Sequence, residues 1–377
     1  MAFWTELADR VEAMRIDVTT DLAAEPYAIP ASDYISAETH QRELDVLFHG
    51  GPVFAGLSGA ADGRGGWFTV DVAGRSVLVV RGEDGELRAF RNACPHRGMR
   101  LQEGSGTGLR RITCPFHAWS FDQMGTNRGI PMREAFEKYD AEDLDLEPMQ
   151  VAESHGVIWV SFGAAPIDTD WLLGGVHREL DQLGMADQVL IGRVERHFDM
   201  NWKLGVDSYM EAYHLHYLHK ATLRNYFLNH ASPFDSFGPN GRIGGVRRSI
   251  EGAESPDQLL DHLTLEYQMF PNAVIIYQQD HFELSQVFPH PESPHRATVV
   301  QSVFAPREGL TDQRRARFLK SFELLLGVTV AEDFSACEAI QRNLRSGSPT
   351  HLRLGRNEPG VIHFHRALLS RLDGARD

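Results

Sequence analysis

Hydrophobic and polar positions alternate in short runs between about residues 45 and 163. In WFTVDVAGRSVLVVRGEDGELRAFRN, residues 67–92, β-branched and aromatic residues alternate with polar ones, and AGR and EDGE interrupt the runs where hairpin turns belong. VAESHGVIWVSFG, residues 151–163, repeats the theme. This pattern predicts a small antiparallel β domain. From residue 164 onward the repeat lengthens to helical spacing in WLLGGVHRELDQL, in the run around DSYMEAYHLHYLH, in RRARFLKSFELLLG and in SACEAIQRNLRS. Strand-like pieces, NAVIIYQQ and ATVVQSVFAP, lie between them. The second part therefore reads as α+β.

At the N-terminus, Phe3, Trp4, Leu7, Val11, Met14 and Ile16 fall near helical spacing, with acids among them. That composition predicts a folded helix of a cytoplasmic protein rather than a basic-then-apolar secretion signal. The division expected is a helix and lead-in over 1–44, the β domain over 45–163 and the α+β domain over 164–377.

Composition narrows the partners. The chain has 377 residues, 42 % hydrophobic and 24 % charged, with a net charge of −15. A single core rarely extends over such a length, so two domains are expected. The acidic balance argues against a nucleic-acid partner. No apolar run approaches the roughly 20 residues that span a bilayer, so no membrane association is expected. Three cysteines cannot build a disulfide framework, and Cys94 and Cys114 each have a histidine close behind.

That pairing is the first chemical signal. Cys94 and His96 lie in CPH, Cys114 and His117 in CPFH, with seventeen residues between His96 and Cys114. Two thiolates and two imidazoles suit tetrahedral zinc or a two-iron, two-sulfur cluster with histidines on one iron. Zinc sites usually pair cysteine with cysteine in one loop, whereas each loop here donates one of each. Imidazoles in place of two thiolates remove negative charge and raise the potential to about −150 to +300 mV. GSGTG at 104–108 lacks phosphate-loop spacing and reads as a flexible turn.

The second signal is NWKLGVDSYMEAYHLHYLHK, residues 201–220. On a regular helix of about 100° per residue, Asp207, Glu211, His214 and His219 share one broad face. His214 and His219 nevertheless stand about 140° apart, so joint metal binding requires a bulge or break between them. His216 falls further round and is expected to be structural. Glu211 lies close enough to hydrogen-bond one ligand. Two histidines with one carboxylate form the facial triad of non-haem iron(II) oxygenases. The carboxylate must come from elsewhere, with Glu332 and Asp333 as candidates.

The two motifs, in this order, resemble the α subunits of Rieske non-haem iron ring-hydroxylating oxygenases. NACPHRGMRL and CPFHAWSFD look like their Rieske domain, and Glu-x2-His-x4-His with the downstream VAEDFSACEAIQRNL looks like their catalytic domain. The resemblance covers nearly the whole chain. It implies an antiparallel β Rieske [2Fe-2S] domain followed by a helix-grip-like antiparallel sheet with helices. Cys94, His96, Cys114 and His117 would hold the cluster, and His214, His219 and Asp333 the mononuclear Fe(II), with Glu332 second to Asp333.

The resemblance further implies a homotrimer in which Glu211 bridges His214 to the partner's His117 or the partner's His96. Asp207, where Asn is frequent in the family, is a further candidate catalytic residue. Electrons would come from NAD(P)H through a separate ferredoxin or flavin reductase, with O2 and a small molecule as substrates. A small β subunit is left open.

The implied activity is mono- or cis-dihydroxylation of an aromatic or other small organic compound, with aromatic hydrocarbon catabolism the first expectation. Oxidative N- or O-demethylation of a methylated or quaternary amine is the alternative. Many aromatic-ring members carry Asp where Glu211 stands, whereas members acting on quaternary amines often carry Glu. An electron carrier without chemistry of its own and a zinc-stabilised binding protein are the readings from other classes.

Overall fold

A computed structural model describes residues 4–252 and 256–374. The chain forms two compact units, Leu44–Thr169 with Arg178–Leu190, and Met1–Glu43 with Asp170–His177 and Ile191–Asp377. No helix among the described residues is long and apolar enough to cross a membrane.

The first unit is built on a seven-stranded sheet. Its order is Pro52–Leu57, Val157–Ser161, Pro148–Ser154, Leu87–Arg91, Arg75–Arg81, Trp67–Val72 and Ser105–Gly106. The alternating run forms its hairpins where expected. Val72 pairs with Arg75 across Ala73 and Gly74, whose φ values of 47° and 83° are both positive, as a two-residue turn matched to strand twist requires. The GSGTG stretch is more ordered than a flexible turn, because Ser105 and Gly106 pair with Phe68 and Trp67. A three-stranded sheet, Ile112–Thr113, Ser120–Phe121 and Asn127–Gly129, carries the second Cys-His loop. Beneath the loops, Cys94 and Cys114 join Leu78, Val80, Phe90, Trp119 and Phe121 in one buried cluster.

The second unit is mixed α+β. Its seven-stranded sheet runs Gln188–Phe198, Ser293–Pro306, Phe282–His290, Ala273–Tyr277, Leu263–Met269, Asn240–Val246 and Phe234–Phe237. The pairings from Ser293–Pro306 through to Phe234–Phe237 are antiparallel. Helix Asp312–Val328 starts at Thr311, whose side chain caps Arg314 N at 3.2 Å. Its buried Phe318, Phe322 and Leu326, spaced by four, cluster with Val303 and Ala305 of the sheet. One wide turn, Thr329–Phe334, joins it to helix Ser335–Arg345.

Two helical expectations changed. WLLGGVHRELDQL divides into Thr169–Leu173 and His177–Gln182, because Gly174 and Gly175 adopt φ of 53° and 103° between them. The N-terminal helix is Thr5–Asp17, burying Leu7, Ala8, Val11 and Met14. Ile16 is 64 % exposed, and Phe3 lies outside the described residues.

The segment read as a lead-in is part of the second unit. Strand Tyr27–Pro30 pairs antiparallel with His351–Leu354. Glu43 accepts a hydrogen bond from Trp202 Nε1 at 2.8 Å and is ion-paired to Lys203, both side chains being 2 % exposed. Removing one member of a buried pair strands the other's charge. Lys203→Met is therefore expected to lower unfolding stability by about 3–5 kcal/mol. A denaturant titration would show this, with a further Glu43→Gln change recovering part of the loss.

Candidate metal centres

The two Cys-His loops share one backbone device. Cys94 N donates to Met99 O and Gly98 N to Cys94 O, both at 2.8 Å, while Cys114 N donates to Trp119 O at 2.8 Å and Ala118 N to Cys114 O at 3.0 Å. The residue four past each cysteine, Gly98 or Ala118, takes a positive φ of 72° or 58°. Each loop thus folds back on its cysteine, burying the thiol and leaving the histidine half-buried at the rim. The Nδ1 atoms of His96 and His117 face each other at 3.1 Å. His96 stacks on Trp119 with ring centroids 5.0 Å apart.

This arrangement discriminates between metals. Four tetrahedral zinc ligands would lie within about 4 Å of one another. Among the described residues, only His214, His219 and Asp333 bring three donor atoms within 4.8 Å. The cluster residues instead pair by type, thiol beside thiol and imidazole beside imidazole. That suits two irons, one held by each pair, so the donors fit a [2Fe-2S] cluster better than one zinc.

The iron motif is not the continuous helix that its periodicity predicts. Helix Trp202–Asp207 starts at Asn201, which caps Lys203 N, and ends at Ser208, whose hydroxyl donates to Gly205 O at 3.1 Å. His214–His216 form a separate tight turn. The shared helix face expected for Asp207, Glu211, His214 and His219 therefore does not exist. Histidines five apart converge because the tight turn ends at His216, between the two, and no helix continues to His219. Asp207 is held by Tyr34 Oη at 2.7 Å and His365 Nε2 at 2.9 Å and does not line the cavity described below. His216 is half-buried and lies outside the converging trio.

The carboxylate comes from the wide turn. Asp333 Oδ1 lies 3.4 Å from His214 Nε2 and 3.1 Å from His219 Nε2. It is buried, yet neither contact is aligned as a hydrogen bond. Three atoms aimed at a common point rather than at one another fit a shared cation. Burial disfavours a charged His214, but Asp333 and Glu211 outweigh it and carry the imidazole up to about 10. The trio therefore attracts positive charge.

Both histidines are oriented from behind. Glu211 Oε1 lies 2.5 Å from His214 Nδ1, and Glu211 Oε2 accepts from His214 N at 3.0 Å. Glu332, the other acid left open by the sequence, lies 2.7 Å from His219 Nδ1 and accepts from Thr222 Oγ1 at 3.1 Å. The wide turn lets the adjacent acids serve different atoms of one ring, Asp333 toward Nε2 and Glu332 toward Nδ1. Glu332→Gln is expected to weaken iron retention by about 10–100-fold without emptying the site at saturating iron. Equilibrium dialysis against a chelator would measure it.

A cavity of about 420 Å³ opens on the trio. Leu215, Phe227, Ile243, Ile276 and Leu325 supply apolar wall, and Glu266, Arg247 and Gln278 supply polar groups. Phe227 lines it, packed against Gly245, where a Cβ would sit 3.0 Å from its ring. Tyr213 is 59 % exposed and Phe282 is buried in the sheet, while Tyr277 donates to Gln279 O. Burial raises Glu266 to about 8, opposed by His214 and reinforced by Asp333 and Glu211. The buried thiol of Cys337 donates to Leu204 O at 3.3 Å, and burial pushes its pKa far up.

Residues 57–140 match the family model for the Rieske [2Fe-2S] domain, and residues 185–374 match that for the ring hydroxylating alpha subunit, catalytic domain. The carnitine monooxygenase oxygenase subunit of Acinetobacter baumannii is 31 % identical over 199 residues, 52 % of this chain and 54 % of that protein, so the match spans about half of that relative. Its Escherichia coli K12 counterpart is 24 % identical over 355 residues, 91 % of this chain and 93 % of that one. A solved quaternary ammonium Rieske monooxygenase, described with inter-subunit electron transfer, superposes with a TM-score of 0.79 at 24 % identity, covering 93 % of this chain and 96 % of that one. The chain belongs to the family of Rieske ring-hydroxylating oxygenase α subunits, oxidoreductases that incorporate oxygen from O2.

Proposed function

We propose that this chain is the terminal oxygenase of a multicomponent monooxygenase acting on a small methylated or quaternary amine. The observation that carries the substrate reading is Glu266, a carboxylate in the cavity wall between apolar residues and close to the iron donors. Burial disfavours its ionised form; a cationic nitrogen beside it would favour that form, whereas an aromatic hydrocarbon would not. The order of the two substrate readings drawn from the sequence is therefore reversed. The named activities of the relatives lean the same way.

When bound, the cluster supplies single electrons and the ferrous ion activates O2. Cys94, His96, Cys114 and His117 would hold the former, and His214, His219 and Asp333 the latter. Glu211 and Glu332 hold the two imidazoles so that both Nε2 atoms face Asp333. The apolar wall excludes water from the substrate. One oxygen atom enters a C–H bond beside the nitrogen and the other leaves as water, with two electrons drawn from NAD(P)H through a separate reductase and two protons taken up from solvent. Collapse of the hydroxylated carbon breaks the C–N bond and releases an aldehyde, a free amine and a proton.

In a ring of three, Glu211 would stand between His214 and the partner's His117 or the partner's His96.

Purified protein should be reddish-brown, with about three irons and two labile sulfides per chain. With NADH and a surrogate reductase, trimethylammonium compounds should drive O2 uptake and aldehyde release. A colourless zinc protein, or uptake driven by aromatic compounds alone, would sink the reading.

A further inference from the structure

Incorporation of oxygen from O2 with two external electrons consumes two protons, whether one oxygen atom or both enter the substrate. A substrate seated in the cavity blocks the direct way in from solvent. The sheet behind the cavity wall offers another.

Strand Phe282–His290 places Glu283 and Ser285 on one face. Glu283 stands opposite Ile276 and Val303, and Ser285 opposite Val274 and Gln301. Ile276 lines the cavity, Val303 packs under helix Asp312–Val328, and Gln301 Nε2 donates to Thr329 Oγ1 of the wide turn that carries Asp333. A carboxyl group and a hydroxyl, each on a residue 1 % exposed, therefore occupy core positions beneath that helix and turn. Burying polar groups there is costly unless they are hydrogen-bonded, and packing alone would be served by aliphatic side chains.

Their polar atoms continue a row that starts at the surface. Asp280 is 41 % exposed and lies 2.9 Å from His281 Nδ1. The His281 ring stacks on Phe318, and its Nε2 lies 3.9 Å from Glu283 Oε1. The second oxygen of Glu283 accepts from Gln278 Nε2 at 3.1 Å, and Gln278 Oε1 accepts from Arg247 at 2.9 Å, which fixes the carboxyl group in place. Ser285 follows one pleat repeat along, ~6.6 Å. Beside it stands the phenol of Tyr209, a residue of the cavity wall. His281 Nε2, Glu283 Oε1, Ser285 Oγ and Tyr209 Oη are all buried and make no aligned hydrogen bond with protein. Polar atoms in such a row are spaced for bridging by ordered water. Burial, reinforced by Asp333, Glu266 and Glu283, holds the Tyr209 phenol well above its usual pKa, so it passes a proton on only as it receives another.

We infer that His281, Glu283, Ser285 and Tyr209 form a proton path, which takes protons from solvent at Asp280 and releases them from Tyr209 Oη into the cavity that Asp333 also lines. Each proton leaving Tyr209 is replaced through Ser285 and Glu283 by one from His281, so the path returns to its starting state. The inference rests on oxygen incorporation, which the family shares, and not on the identity of the substrate.

The test mixes reduced, substrate-bound holoenzyme with O2 in weakly buffered solution containing a pH indicator, and follows proton uptake and product formation in H2O and D2O. Glu283→Gln keeps the side chain's volume and can still accept from Gln278. It should slow both by about a hundredfold and raise the solvent isotope effect above the wild-type value, with iron, sulfide and calorimetric substrate affinity unchanged. Glu283→Asp should recover part of the rate. His281→Gly should be slow and be rescued by added imidazole, which should leave Glu283→Gln slow. A crystal structure of the wild type should show ordered water joining Glu283 Oε1 to Ser285 Oγ.

Wild-type proton uptake in both Glu283→Gln and Tyr209→Phe overturns the inference. So does slowing without a larger isotope effect, or a dry gap between Glu283 and Ser285. Should Glu283→Gln lose iron or cluster, the imidazole rescue and the water decide. Any compound that the enzyme oxidises serves as substrate, so rejection of methylated amines removes the amine reading alone.

Discussion

Glu211→Ala is expected to leave about three irons and two labile sulfides per chain while lowering turnover by about a hundredfold or more. The carboxylate is not one of the three converging donors. Its two oxygens engage the Nδ1 and the backbone nitrogen of His214, so its loss frees the outer edge of a ring whose inner nitrogen still faces Asp333. If Glu211 carries electrons from the partner's cluster, the variant's cluster should reduce normally but fail to reoxidise in a single turnover with O2 and substrate. Reoxidation at the wild-type rate would remove the bridge from the proposal. Reduced iron content would make Glu211 an orienting residue only.

Asp333→Ala is expected to lose the mononuclear iron and all turnover, with iron falling from about three to about two per chain and the visible cluster spectrum unchanged. Oδ1 of Asp333 is the atom both Nε2 groups face, and it is buried without a hydrogen bond. Two histidines alone would hold ferrous ion weakly. Comparison with Glu332→Gln separates the adjacent acids, since Glu332 reaches only Nδ1 of His219. Were the glutamine variant to lose iron and the alanine variant to retain it, the assignment of the two carboxylates would be reversed.

The parts of these centres that could be read from residue order are those built over a few residues. The turn at Ala73 and Gly74, the CPH and CPFH loops and the reach from Glu211 to His214 need only local backbone geometry. The same local reasoning failed for the 201–220 stretch as a whole. Apolar spacing there predicts one helix, but buried positions on an irregular segment can follow the same spacing, and the segment breaks after Asp207. Asp207 accordingly turns to Tyr34 and His365, which lie far away in the chain.

By itself, the sequence pointed to the two domain types, to four candidate cluster donors, to the histidine pair and to two adjacent acids as candidates for the third donor, because those signals are spacings of reactive side chains within short stretches. Only the tertiary structure decided which acid faces the histidines' Nε2 atoms, since a wide turn between two helices rotates Asp333 toward them and Glu332 behind His219. It also decided what faces the cavity. Glu266 enters that wall through strand register, and register is set by pairing between segments whose side chains carry no mark of it in the linear order.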